Sequence, residues 1–146
     1  MPNTGNRLLS NSIFNNDGLG IDLSTSGVTA NDSGDSDSGP NDLQNFPELS
    51  SAESSSTGTT VRGTMSTTPG ATLRLEFYAS PAADPLGNGE GKKLLGAKKV
   101  TLVEGDAPLV FTTSKITKAG WVVTATATNA TGSTSEFSAA VAVQRQ

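Results

Sequence analysis

The residues best equipped for chemistry are oxygen donors crowded into one short stretch. NDSGDSDSGPND places Asp32, Asp35, Asp37, Asn41 and Asp42 within eleven residues of turn-forming composition. Hard oxygen ligands on an acidic loop are what calcium requires, so calcium is the candidate cofactor and these five residues are its candidate ligands. The spacing departs from the EF-hand pattern, since Gly39 and Pro40 fall where a ligand and the obligatory glycine would sit. A solvated acidic loop is the alternative reading.

A second group is Arg74, Glu76 and Tyr78, which share one parity of the segment TLRLEFYAS. That parity is the wetter one, so the three residues are expected to form a shallow polar groove for a ligand such as a polysaccharide. Trp121 has the parity of Val123 and Ala125 and is expected to fill the core. Phe14, Phe46, Phe77, Phe111 and Phe137 are also read as core, with Phe14 and Phe46 pinning the N-terminal segment. In ASPAADPLGNGEGKK, a strand precedes but no helix follows and the GxxxxGK[ST] spacing is absent, so a hairpin connection is expected in place of a phosphate loop. Asp84 and Glu90 in that loop could be imagined as a glycosidase pair, but nothing in the sequence sets them across a cleft.

Composition removes other chemistry. The 146 residues contain no His and no Cys, so triad, thiol and zinc catalysis lack their usual groups and no disulfide staples the fold. A non-enzymatic role is expected. No run approaches the roughly 18 apolar residues of a membrane helix and no signal peptide opens the chain, so no membrane span is expected. Arg62, Arg74, Lys92, Lys93, Lys98 and Lys99 could form a basic face. The net charge of −4 and the lack of interleaved aromatics argue against nucleic acid. Lysines on an edge strand, where they discourage sheet-to-sheet association, account for the cluster.

The elements that must position these residues are strands. Period-two alternation marks TLRLEFYAS, GWVVTATATN and EFSAAVAV, and shorter apolar pieces mark TTVRGTM, KLLGAKKVTLV and PLVFTT. Residues 59–146 therefore predict an antiparallel, immunoglobulin-like β-sandwich, with a barrel as the rival. Charge divides the chain: residues 1–58 carry one cation against eight acids, and residues 59–146 carry nine against six. The serine-rich piece 50–58 reads as a connector. Residues 1–49 set Leu8, Ile13, Ile21 and Leu23 between asparagines, the texture of a β-helix coil, and are expected to pack on the sandwich through Leu8, Ile13, Phe14, Ile21, Leu23, Leu43 and Phe46.

The strings GNRLLSNSIFNNDGLGIDL, GVTANDSGDSDSGPNDLQNFPEL, LEFYASPAADPLGNGEGKKLLG and TATATNATGSTSEFSAAVAV resemble the C-terminal region of large bacterial surface or secreted, adhesin-like proteins. There a last β-helix coil is followed by an immunoglobulin-like β-sandwich. The resemblance implies a secreted or cell-surface location. Its relatives carry cysteines in the SPxCD and EFSACVAV strings at positions matching Ala83 and Ala140, which implies that these two residues lie close together. Two functions follow as expectations. One is a non-catalytic structural or adhesive module with a protein or polysaccharide partner at a surface, ordered by calcium. The other is a carbohydrate-binding module appended to a polysaccharide-active enzyme. The oligomeric state is not legible in the sequence.

Overall fold

The computed structural model describes residues 3–24 and 27–146. Among them seven strands form: β1 (Glu48–Ser55), β2 (Gly58–Ser66), β3 (Ala71–Ser80), β4 (Lys93–Leu102), β5 (Asp106–Thr113), β6 (Val122–Thr128) and β7 (Val141–Arg145). The all-β expectation is met. In place of two separate antiparallel sheets there is one mixed sheet, ordered β4-β3-β6-β7-β1-β2-β5, that curls until it nearly closes into a barrel. The element that makes it continuous is the parallel pairing of β1 with β7 through Ala52↔Val143, Glu53↔Gln144 and Ser54↔Arg145. No helix among the described residues is long and apolar enough to cross a membrane.

Alternation explains the core. Leu73, Leu75 and Phe77 of β3 and Val123, Ala125 and Ala127 of β6 point inward and are buried, facing Val61, Leu109 and Phe111 from the opposite half of the sheet. Phe77 stacks on Phe111 with ring centroids 4.1 Å apart and planes 5° from parallel, a contact whose area and geometry both stabilise. Gly96 lies opposite Phe77 on β4, and a Cβ there would sit 2.9 Å from Phe111 Cζ. The missing side chain is thus the room into which Phe111 fits.

The seam between the terminal strands β4 and β5 has no backbone ladder. Lys98 Nζ donates to the Val110 carbonyl at 2.7 Å, and Thr113 Oγ1 donates to the Leu95 carbonyl at 3.3 Å. Just past β5, Lys115 Nζ donates to the Leu94 carbonyl at 2.8 Å. Lys98 is in register with the core residue Leu75, so it is an inward charge on an edge strand. That is one of the devices that blunt open edges, and here its head caps the facing strand.

Three expectations change on contact with this fold. The piece 50–58 is no connector: it supplies β1 and the turn into β2, because Ala52 and Ser54 are fully buried and Ser54 Oγ is engaged by Thr117 N–H at 3.1 Å. The strand in EFSAAVAV begins only at Val141. Before it, Ser135 and Ser138 pair with β6 through both backbone and hydroxyl, their Oγ atoms each accepting at 2.9 Å from Ala127 N–H and Ala125 N–H. The described residues of 1–47 form no strand; the β-helix-coil expectation gives way to a segment laid over the outer face of β3, the loop after it and the approach to β7, with one isolated bridge at Ile13↔Gly91.

Candidate functional site

Polar groups of the barrel hold that segment at three bends, each through one carboxylate. Glu76, 0% exposed, accepts from Ser10 N–H at 2.7 Å, Ser10 Oγ at 3.2 Å, Tyr78 Oη at 2.5 Å, and Arg74 Nε and Nη2 at 3.0 and 2.8 Å. Glu90 accepts from the backbone N–H groups of Asn15 and Asn16 at 2.7 and 2.9 Å. Glu136, 2% exposed, accepts from Leu23 N–H and Thr29 N–H, each at 2.9 Å, and from Thr29 Oγ1 at 3.1 Å. A chain with no strand of its own must satisfy its backbone donors elsewhere, and ionised acceptors do so with the strongest bonds.

Asparagines complete the attachment. Asn41 is buried; its Oδ1 accepts from Asn6 N–H at 2.9 Å and its Nδ2 donates to the Asn6 and Thr134 carbonyls at 2.8 and 2.9 Å. It sits in a single turn, Pro40–Leu43, whose Asn41, Asp42 and Leu43 all have positive φ. Asn45 spans Asp32 and Ser66 in the same manner.

This arrangement buries the groove expected from Arg74, Glu76 and Tyr78. The outer face of β3 is covered, so Tyr78 is 2% exposed and packs edge-on against Phe137 with centroids 5.5 Å apart. Ile21 shares that cluster, with Leu8, Ile13 and Leu23 against it. Burial, then Glu76, push the Tyr78 phenol far above its usual range. Burial would raise the Glu76 carboxyl, but Ser10 N–H, the Tyr78 hydroxyl and Arg74 outweigh it and hold the group below its ordinary value of 4.5. Arg74 alone of the three keeps substantial exposure, 46%. Phe14 is not a core residue: it is 40% exposed beneath Lys92 Nζ, 4.7 Å from the ring centre. Trp121 is half-buried at the edge of the core, with Lys93 Nζ 5.1 Å from its ring centre.

The acidic loop separates into two sets. Asp32, Asp35 and Asp37 each offer a carboxylate oxygen within 4.8 Å of the others. Asn41 and Asp42 point elsewhere, Asp42 accepting from Ser133 Oγ at 2.7 Å. Three donors from Ser36 and Asp37 converge on Asp32 Oδ2, and the Ser36 N–H foremost lowers this carboxyl. Asp32 Oδ1 is buried without a hydrogen-bond partner. Asp35 and Asp37 are raised, both by burial first, and both also by the charge of Asp32. Asp35 already accepts from Asn45 N–H, Gln44 Nε2 and Thr67 Oγ1; the three carboxylates could hold a metal ion, supplying three of the six to eight oxygens calcium takes.

In the loop after β3, Glu90 is committed to Asn15 and Asn16, while Asp84 Oδ1 accepts from Leu86 N–H at 2.8 Å in a local turn. The same loop is tied to the approach to β7: Gly89 N–H donates to the Ser138 carbonyl at 3.1 Å and Ala140 N–H to the Gly87 carbonyl at 3.0 Å. The part of the loop that follows Ala83, at Gly87 and Gly89, and the stretch holding Ala140 are therefore neighbours. Reading by parity missed the roles of Glu90 and Glu136; the available signal was an acid set among hydroxyls and apolar residues in STSEFS, since a buried charge needs partners. No known family model and no curated protein matches this chain.

Proposed function

We propose that the chain is a non-catalytic structural or adhesive module of a larger bacterial surface or secreted protein. Its barrel serves as the platform on which the N-terminal segment is fixed. The observation that carries this reading is the engagement of Glu76, Glu90 and Glu136 by backbone N–H groups of residues 10–29. Each of these carboxylates accepts three or more hydrogen bonds, at least two of them from the segment, and that geometry suits rigid attachment over acid–base chemistry. An immunoglobulin-like description of the barrel fits the same reading: β5-β2-β1 and β4-β3-β6-β7 form two halves facing each other across the Phe77–Phe111 stack. Calcium at Asp32, Asp35 and Asp37 would tie the loop that leads from the segment into β1 and offset the Asp32 charge that adds to burial in raising the other two.

The test is thermal unfolding of the full chain beside a chain beginning at Glu48, where β1 starts, each with calcium and with EDTA. The proposal expects a melting temperature lowered by ten degrees or more on truncation, and a calcium-dependent rise in the full chain alone. Unchanged melting on truncation would remove the platform role, and a full chain indifferent to calcium would remove the metal.

A further inference from the structure

The geometry points to an anion-binding cleft for an acidic polysaccharide, built by Arg7, Arg74 and Lys99 where the N-terminal segment meets the outer face of β3 and β4. The cleft has a volume of about 510 Å³ and is walled by these three cations with Thr72, Thr128 and Asn129. No acidic residue lines it. Arg74 and Glu76 make the one ion pair among the described residues, so Arg7 and Lys99 have no carboxylate partner among them. Arg74 itself gives two N–H groups to Glu76 and, of a guanidinium's five, keeps three.

The register supplies an independent argument. Lys99 stands directly opposite Arg74 across the β3–β4 ladder, and Thr128 stands opposite Arg74 across β3–β6. Like charges placed directly opposite destabilise a sheet, and in a chain of net charge −4 a row of this kind runs against the overall balance. Glu76 offsets the charge of Arg74, and no carboxylate among the described residues offsets Lys99, so the pair keeps a net cation that a ligand can compensate. The folded segment then adds Arg7 to the same place, stacked within 3.1 Å of where a Cβ on Gly132 would lie.

The lining selects the ligand. Two guanidinium groups match planar carboxylate and sulfate oxygens through paired N–H bonds. Thr72, Thr128 and Asn129 offer hydroxyl and amide groups suited to sugar hydroxyls. No aromatic ring lines the cleft, so it lacks the stacking platforms on which single-stranded nucleic acids bind. A uronate- or sulfate-bearing saccharide of one or two rings meets all three conditions.

Isothermal titration of the full chain at low salt with polygalacturonate, heparin, neutral dextran, inorganic sulfate and a single-stranded RNA tests this. Expected are binding of both acidic polysaccharides and none of dextran. Lys99 is exposed on an edge strand, so Lys99→Glu should fold normally and weaken binding about tenfold or more; Arg7→Gln should weaken it severalfold. Lys118→Glu, beside Trp121 and away from this cleft, should leave it unchanged. Equal affinity of Lys99→Glu and the parent, an equal loss in Lys118→Glu, retention of dextran, tighter binding of RNA, or sulfate competing per anion as well as heparin would each overturn the assignment.

Discussion

Replacing Glu136 by Gln changes one atom and isolates what a buried carboxylate contributes to holding an irregular segment. Oε1 accepts from Leu23 N–H and Thr29 Oγ1, and Oε2 accepts from Thr29 N–H. An amide has one acceptor oxygen, so its NH2 must face one of the two backbone donors. The Thr29 hydroxyl can turn and accept; neither N–H can. One buried donor is therefore orphaned, and the bonds that remain lose their ionic character. Such an orphan costs about 1–3 kcal/mol. At the middle of that range, 2 kcal/mol is about a 30-fold change in an opening equilibrium, and roughly 4–8 °C in melting temperature if the segment and barrel unfold together. Amide hydrogen exchange read by NMR should show Leu23 and Thr29 exchanging about 30-fold faster in Glu136→Gln, with the barrel amides of β2 and β5 much less affected. Glu104→Gln, at an exposed site, should change neither. Exchange at Leu23 and Thr29 indistinguishable from the parent, with melting within a degree, would refute the idea that this carboxylate fastens the segment.

The two signs of carboxyl shift should separate on a pH scale. Glu76 lies below 4.5 in the folded chain, so its contribution is fully present above that pH and is lost as pH falls through the folded value; the melting deficit of Glu76→Gln should therefore shrink toward pH 3. Asp37 is raised above 3.8, so its ionisation opposes folding as pH rises past that value, and Asp37→Asn should melt no lower than the parent at pH 7 without metal while losing most of any calcium-induced rise. Gly96→Ala should destabilise by about 1–3 kcal/mol in denaturant titration through overpacking against Phe111, and Phe111→Leu should recover part of that loss. Asn41→Ala, which strands the Asn6 N–H and the Thr134 carbonyl, should cost about 2–4 kcal/mol and release the Pro40–Leu43 turn, read as faster exchange at Asn6.

The interior of the barrel was legible because β3 and β6 carry apolar residues at period two and β4 and β5 carry short apolar runs, and Leu73, Leu75, Phe77 and Val123 all lie where parity sets them. β1 was not, because its inward face presents Ala52 and Ser54, and a buried serine looks like linker until its hydroxyl finds Thr117 N–H. The outer face of β3 was misjudged for a related reason. Parity tells which residues leave the core, and it is silent about a second layer, so Glu76 and Tyr78 read as wet when a strandless segment covers them. The apolar anchors of that segment were partly legible: Ile21, Leu8, Ile13 and Leu23 pack around Tyr78 and Phe137, while Phe14 does not. Its carboxylate fastenings were not, since they depend on contacts 66 to 113 residues apart in sequence, and Asn41 joins partners 35 and 93 residues away. Of the acidic loop, the proximity of Asp32, Asp35 and Asp37 was foreseen, and the diversion of Asn41 and Asp42 into fastening was not.

The parallel register of β1 and β7 bears on how the molecule responds to mechanical load. The two strands are neighbours running the same way, joined at Ala52↔Val143, Glu53↔Gln144 and Ser54↔Arg145, with Gln146 N–H donating to the Ser54 carbonyl at 3.0 Å. Tension applied between Glu48 and Arg145 draws them past each other lengthwise, so the bridging bonds are strained together in shear. An antiparallel hairpin pulled from its open end unzips one bond at a time. A pull that enters upstream of β1 reaches this ladder only after the fastenings at Glu136, Glu90 and Glu76 have yielded. Extension should therefore register as small releases of slack from residues 10–29, followed by one abrupt rupture of the barrel.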